Sequence, residues 1–154
     1  MGVRRKSREL AMQALFYMDM QKEISCEMLA VFCRNFTPAK KVFPFFKELT
    51  EGVIAHRGQI DQLIEHFSSN WKISRMSCVD RNIMRMAVYE LLFCTEIPPK
   101  VSINEAIDVG KRFGTEESGA FINGILDTIR IAIEEGKIVR MTDPLADHNS
   151  EDGV

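Results

Sequence analysis

The sequence predicts an all-α protein, and three observations lead to this fold class. Apolar residues recur every three or four positions through most of the 154 residues, which is the spacing of one helix face. No stretch alternates between apolar and polar residues with the period of two that a half-buried strand requires. Residues typical of helix starts precede several of the periodic stretches. We therefore expect about seven helices in one domain over residues 1–138.

The first four helices follow from their apolar stripes. The first covers residues 4–20, and the hydroxyl of Ser25 can cap the second. Pro44, which is tolerated in a first helical turn, opens a third helix that should end near residues 56–58. A fourth helix places the apolar residues of the segment 60–67 on one face.

The fifth helix is expected to be the central one. Ser77 followed by Asp80 resembles a capping box, with Asp in place of the usual Glu. The residues that follow are so rich in apolar side chains that this helix should be the most buried.

Caps and glycines also delimit the last two helices. Ser102 and Glu105 have the spacing of a capping box, which predicts a helix start there, and Gly114 should end this short helix. Thr115 then starts the last helix, which ends at Gly136.

Composition and motifs exclude several classes of protein. Hydrophobic residues make up 45% and charged residues 27%, so a folded domain is expected, and no apolar run is long enough to span a membrane. No nucleotide-binding, nucleophile-elbow or zinc-protease motif is present, so we expect no catalytic residue, cofactor or metal. The basic start leads into an amphipathic stretch and not into the apolar core of a signal peptide, so a cytoplasmic protein is predicted. Four cysteines form no CxxC pair and lie in apolar segments, so we expect them to be reduced packing residues: Cys26, Cys33, Cys78 and Cys94.

Charge is unevenly distributed along the chain. The first eight residues contain four cations and no acid, although the formal net charge of the whole chain is -2. Cations at a helix start oppose the helix dipole, whereas arginine-rich ends bind phosphates well. At the other end, residues 139–154 are acidic and poor in apolar residues, so we expect a disordered tail.

An aromatic residue accompanies the basic start. Phe16 lies two helical turns beyond Arg8 and so falls on nearly the same face. A cation beside an aromatic ring suits single-stranded RNA, if Arg5 and Arg8 are exposed as we expect. The alternative for Phe16 is a place in the core.

Three stretches carry a resemblance to a known family. "RRKSRELAMQALF", "VDRNIMRMAVYEL" and "PKVSINEAIDVGKRFGTEESGAFINGILD" resemble the NusB family over most of residues 3–129. The third stretch is the specific one, because the turn "KRFG" followed by the helix "SGAFINGILD" is hard to produce by chance. The resemblance implies two small helical bundles packed together and a non-enzymatic RNA-binding transcription factor.

The resemblance also implies partners and binding residues. The family pairs with the ribosomal protein NusE, holds single-stranded boxA RNA in a transcription complex with RNA polymerase, and supports antitermination during ribosomal RNA synthesis. Asp80 matches a partner-facing acid. The positions that match RNA-binding residues are Arg4, Arg5, Lys6, Arg8, Phe16, Lys111, Phe113, Glu117 and Phe121.

Two other classes of function remain open from the sequence. The first is a helical protein-interaction adaptor with an uninvolved basic start. The second is a stand-alone relative of the N-terminal domain of ribosomal RNA cytosine methyltransferases. Those enzymes need a large catalytic domain with a glycine-rich cofactor loop and a nucleophilic cysteine, and neither is found in these 154 residues.

Overall fold

A computed structural model describes residues 2–140, which form six α-helices and one 3-10 turn, with no β-strand in that range. The predicted all-α class is therefore confirmed. Of the tail over residues 139–154 that we expect to be disordered, the structure describes Val139 and Arg140, and Arg140 donates hydrogen bonds to the Leu91 and Cys94 carbonyls at 2.7 and 3.0 Å. The rest of the tail lies outside the described residues. The helices are α1 (Val3–Met20), α2 (Cys26–Asn35), α3 (Phe43–Phe67), α4 (Cys78–Phe93), α5 (Pro99–Phe113) and α6 (Ser118–Glu134), and the 3-10 turn spans Ile73–Arg75.

Helix α4 lies at the centre of the molecule. Every residue from Asn82 to Leu92 is buried, and α4 packs against α1, α3, α5 and α6. Helices α1 to α3 form one small bundle and α4 to α6 form the other. The density of apolar residues after Ser77 therefore identified the central helix correctly, because a helix surrounded on all sides needs apolar residues on every face.

Two helices predicted separately are one. Helix α3 continues through residues 56–58, and only His56 leaves the helical range, with φ -117° and ψ 17°. The result is a kink, not a loop, and Val53 before it and Ile60 after it are both fully buried. A kinked helix keeps both apolar segments against the core without exposing the backbone that a loop would leave unpaired.

The predicted start of α5 is also wrong. The helix begins at Pro99, and Ser102 lies inside it instead of capping it. The Ser102 hydroxyl donates a hydrogen bond to Glu90 Oε1 at 3.0 Å, and Glu105 binds Arg5. Both polar side chains thus have partners on other helices, while a proline in the first turn suits the start of α5.

The other predicted helix starts are closer to the structure. The hydroxyl of Ser25 accepts a hydrogen bond from the Met28 N–H at 3.1 Å, and Ser77 accepts one from the Asp80 N–H at the same distance. Both serines therefore cap their helices as predicted. The Asp80 carboxylate does not complete the capping box, since it forms no hydrogen bond to the Ser77 backbone.

Glycines end the last two helices where the sequence indicates. Gly114 follows the last residue of α5, and Gly136 after α6 has a positive φ of 76°, which favours glycine. Helix α6 begins at Ser118, three residues later than predicted, because the Ser118 hydroxyl accepts the Thr115 N–H at 2.9 Å and holds a turn there.

An ionic network ties α1, α3 and α4 together. The Asp19 carboxylate accepts hydrogen bonds from Arg81 at 2.6 and 2.9 Å and from Asn82 at 2.9 Å. Arg85 bridges Asp19 at 3.0 Å and Asp61 at 2.8 Å. Burial opposes the ionisation of Asp19, but these donors outweigh it and lower the pKa of Asp19 from 3.8 to about 2.

Candidate nucleic-acid interface

The basic start of α1 distributes its cations over different faces of the helix. Arg4 and Lys6 are exposed, and neither forms an ion pair within residues 2–140. The Arg4 guanidinium lies 5.3 Å from the centre of the Phe45 ring, a distance at which cation and ring attract each other. These two side chains keep the exposed charge that their predicted contact with phosphate requires.

Arg5 has two carboxylate partners on α5. Its Nε lies 2.7 Å from Glu105 Oε2, and its Nη2 lies 2.7 Å from Asp108 Oδ2. The hydrogen bond from Arg5 lowers the pKa of the Glu105 carboxyl. The Arg5 side chain is 32% exposed, so it is accessible only in part and its charge is already matched.

Arg8 is not at the surface, so the prediction that it is exposed is wrong. Its side chain is 3% exposed, and it donates to both oxygens of Glu90, with the shortest bond at 2.7 Å. Burial raises the pKa of the Glu90 carboxyl, and the bonds from Arg8 and Ser102 act against that increase. We therefore assign Arg8 to the core of the molecule and not to a direct contact with phosphate.

Ion pairs align α1 with α5. Arg5 meets Glu105 and Asp108, and one turn later Glu9 accepts a hydrogen bond from Arg112 at 2.7 Å. The two helices therefore run side by side in the same direction. This alignment brings Arg112 beside Glu9 of α1, although 103 positions separate the two residues in sequence.

Two predicted aromatic residues lie along this junction. Phe16 follows Arg5 and Glu9 on the same stripe of α1, and it is half-buried against the core. Phe113 is also half-buried, and the Arg112 guanidinium lies 5.1 Å from its ring centre. Each ring therefore packs against the core and also keeps a part that RNA can reach.

The last two predicted RNA-binding residues lie in the turn before α6 and in the first turn of α6. Glu117 is exposed and precedes α6, and its side chain makes no capping hydrogen bond. Phe121 is half-buried, and its ring meets that of Trp71 edge to face at 6.1 Å.

Sequence reasoning missed two residues of this surface. Trp71 is 54% exposed beside Phe121, and Arg112 joins Glu9 while covering Phe113. The signal for Trp71 was a lone tryptophan in a polar stretch, "SSNWK". The signal for Arg112 was its position between two predicted RNA-binding residues, Lys111 and Phe113.

Asp80 is more enclosed than a partner-facing acid should be. The residue is 8% exposed, and its Oδ1 has no hydrogen-bond partner among the described residues. The Asp80 side chain is therefore less accessible than we expect of a partner-facing acid, although Ser77 before it is exposed. Its contact with a partner stays a prediction.

One group of side chains has the composition of a metal site. The ligand atoms of Glu48, Cys94 and Glu96 lie within 4.8 Å of one another. Burial raises the pKa of the Cys94 thiol, and its Sγ lies 3.4 Å from Glu48 Oε1 as a hydrogen-bond donor. In this structure the Cys94 thiol therefore acts as a hydrogen-bond donor to Glu48. Within residues 2–140, no helix is long and apolar enough to cross a membrane.

Comparison with known proteins decides the family. The model of the NusB family matches residues 5–130. The chain belongs to the NusB family. The transcription antitermination protein NusB of Desulfatibacillum aliphaticivorans is 60% identical over 131 residues, which cover 85% of this chain and 92% of that protein.

Solved structures of NusB proteins share the fold. NusB of T. maritima is 37% identical, with a TM-score of 0.73 over 90% of this chain and 93% of that one. A crystal structure of the antitermination factors NusB and NusE in complex with double-stranded RNA contains a chain that is 27% identical. Its TM-score is 0.74, and the match covers 84% of this chain and 97% of that one.

These relatives confirm two predictions from the sequence. The resemblance to the NusB family was correct, since the matched residues include the second and third stretches in full and all of the first except Arg4. The prediction that the chain is not an enzyme is also confirmed, because the NusB relatives are transcription antitermination proteins.

Proposed function

We propose that this protein is an RNA-binding transcription antitermination factor that holds boxA RNA together with NusE. In this role it acts in a transcription complex with RNA polymerase and supports ribosomal RNA synthesis. Family membership supports the antitermination role, and a structural neighbour is a complex of NusB, NusE and RNA. The RNA surface comprises the start of α1, the end of α5 and the turn into α6.

The observation that carries the proposal is a set of exposed cations at the start of α1 and at the end of α5. Arg4, Lys6 and Lys111 are exposed, and none forms an ion pair within the described residues. Such cations bind phosphates and release counterions from the nucleic acid. Leaving them unpaired on the protein costs little in water, and their charge is then available to RNA.

Half-exposed aromatic rings favour single-stranded RNA over a duplex. Phe16, Phe113 and Phe121 are half-buried, so each ring keeps an accessible part. Unpaired bases can stack on such rings, whereas the bases of a duplex are stacked on one another and unavailable.

Asp80 remains the proposed contact with NusE. Its Oδ1 lacks a hydrogen-bond donor within the described part of the chain, so a donor on a partner could satisfy it after a small movement. Binding of NusE by an Asp80→Ala variant measures this contribution separately from RNA binding.

A fluorescence anisotropy titration tests the proposed function. The protein is titrated into boxA RNA and into a scrambled RNA, with and without NusE, at several salt concentrations. We expect a preference for boxA that NusE strengthens. Lys111→Ala should weaken binding and reduce the salt slope by about 0.7, the value for one phosphate contact on a single strand.

Lys100→Ala is the matched control, because Lys100 is exposed at the other end of the same helix. The affinity of the Lys100→Ala variant for RNA should equal that of the wild type. Equal binding of boxA and scrambled RNA by the wild type, with no salt dependence, would instead favour the adaptor function.

A further inference from the structure

A groove beside the candidate RNA surface has no role in the function proposed above. It lies between α1 and the segment that joins α2 to α3, and its volume is about 370 Å³. That volume falls within the usual range of ligand sites, which is about 300 to 1,000 Å³. Its apolar lining includes Leu10, Pro38 and Val42, and Lys6 and Phe36 also line it.

Phe36 presents an aromatic ring to solvent at this groove. The side chain is 58% exposed, and its ring stacks on that of Phe32 at 5.0 Å between centroids. The ring is therefore held in a fixed orientation by a buried neighbour. A fixed, exposed aromatic ring costs free energy in water unless something flat and apolar covers it.

Hydrogen bonds hold the wall of the groove in place. The Ser7 hydroxyl, which is fully buried, lies within hydrogen-bond distance of the Val3 carbonyl at 2.9 Å and the Val42 carbonyl at 3.0 Å, so the proton that it donates is shared between α1 and the segment. Within the segment, the Val42 N–H donates to the Ala39 carbonyl at 3.0 Å, and the Thr37 hydroxyl donates to the Cys33 carbonyl at 3.2 Å. The groove therefore needs no rearrangement to accept a ligand.

The cation in the lining of the groove is Lys6. Lys40 and Lys41 do not line the groove, but they lie between the lining residues Ala39 and Val42 in the chain. All three lysines are exposed without an ion pair in the described part of the chain. The acid in the lining is Glu9, whose carboxylate is mostly buried and neutralised by Arg112.

We propose that this groove binds a nucleotide of single-stranded RNA that flanks boxA, with its base stacked on Phe36 and its phosphates near Lys6, Lys40 and Lys41. An aromatic ring, an apolar floor and a cationic rim together match a base and its phosphates. The groove is continuous with the proposed RNA surface, because Lys6 belongs to both. This inference rests on the proposed function and lengthens the RNA path by one site.

RNAs of two lengths test the inference, with NusE present throughout. One RNA is boxA alone, and two others carry a few extra nucleotides on the 5′ or the 3′ side. We expect the wild type to bind one extended RNA more tightly than boxA. Phe36→Ala should lower the affinity for that extended RNA by about 5- to 150-fold, which is the fold-change for one stacked base. The affinity for the RNA that consists of boxA only should not change.

Phe43→Ala is the matched control, since Phe43 is 41% exposed on the neighbouring helix start but does not line the groove. It should change neither affinity. Phe36→Leu keeps an apolar contact with Phe32 without an aromatic face, so it replaces Phe36→Ala if a melting curve shows that the alanine variant is unfolded.

Several outcomes would overturn the inference while leaving the proposed function intact. In the first, the wild type binds boxA and both extended RNAs with equal affinity. In the second, Phe36→Ala lowers the affinity for every RNA by the same factor. If the acidic segment 143–152 of this chain occupies the groove instead, Phe36→Ala would leave binding of extended RNA unchanged or strengthen it. Failure of the wild type to prefer boxA over scrambled RNA would overturn both proposals.

Discussion

At the scale of single residues, neighbours in sequence have very different environments. Arg4 and Lys6 are exposed, Arg5 is partly exposed in a surface ion pair, and Arg8 is buried against Glu90. Successive residues of a helix point about 100° apart, so Arg4, Arg5 and Lys6 face three directions. Arg8 lies one turn after Arg4 and shares its face and the Phe45 ring. Their role depends on what each direction meets, and only Arg8 meets a buried carboxylate.

Replacing Arg8 is expected to damage stability and not RNA binding. Arg8→Ala removes the main partner of a buried carboxylate, and breaking a buried pair in this way costs about 3 to 5 kcal/mol. Thermal unfolding and RNA anisotropy on the folded protein measure the two effects separately.

Two further variants complete this test. Arg5→Ala should cost at most about 1 kcal/mol, since its ion pair is partly solvated. Arg8→Met combined with Glu90→Leu should recover much of the lost stability, because no unpaired charge then remains buried. A stable Arg8→Ala variant with weakened RNA binding would contradict this account and restore Arg8 to the RNA surface.

Phe113 is expected to contribute to both RNA binding and stability. Phe113→Leu keeps most of the apolar contact with the core but loses the aromatic face, so RNA affinity should fall by about 1 to 3 kcal/mol. Phe113→Ala should lose the same affinity and also destabilise the fold, by less than the 3 to 5 kcal/mol or so of a fully buried Phe. Full RNA affinity in the leucine variant would assign Phe113 to the core alone.

At the scale of elements, close packing between α3 and α4 depends on a small residue. A methyl group at Gly52 would collide with the ring of Tyr89, which belongs to the central helix. Helix α3 therefore lies closer to α4 at Gly52 than any side chain would allow. Gly58 lies in the same helix, and a methyl group there would meet nothing within 4 Å.

These two glycines predict opposite effects of the same substitution. Gly52→Ala should destabilise the protein by about 1 to 3 kcal/mol, because the Tyr89 ring must move in a packed core. Gly58→Ala should stabilise it by up to about 1 kcal/mol, through the higher helix propensity of alanine. Denaturant unfolding of both variants checks the prediction, and stabilisation by Gly52→Ala would show that α3 and α4 can separate without cost.

At the scale of the whole molecule, the network around Asp19 makes stability depend on pH. The pKa of Asp19 is about 2 in the folded protein, against 3.8 for a free aspartate side chain. Because the folded pKa is the lower one, the unfolded chain binds the proton more tightly. The stabilisation is therefore complete above about pH 4 to 5 and is lost as the pH falls through about 2.

The Asp19→Asn variant isolates this contribution. Its unfolding free energy should be lower than that of the wild type at pH 7, and the difference should shrink between about pH 4 and pH 2. Urea unfolding across this range measures the difference. Asp127→Asn, which removes an exposed partner of Arg130 on α6, is the control and should show little change with pH. A difference independent of pH would mean that Asp19 stabilises the fold through shape and not charge.

The sequence alone determined the all-α class, the caps at Ser25 and Ser77, the helix ends at Gly114 and Gly136, and the family resemblance. These features depend on residues within a turn or two of one another, so a single sequence contains the whole signal. The kink at His56 was misread as a helix end, because a local break in the pattern does not reveal whether packing continues the helix.

Only the tertiary structure decided which predicted residues are available to RNA. Arg8 is buried because Glu90 lies opposite it, and 82 positions separate the two residues. Arg112 joins the surface through Glu9 across 103 positions, and the groove at Phe36 exists because Ser7 holds Val42 from 35 positions away. Such partners are set by how helices pack, and the periodicity of one helix indicates which face is buried but not what that face meets.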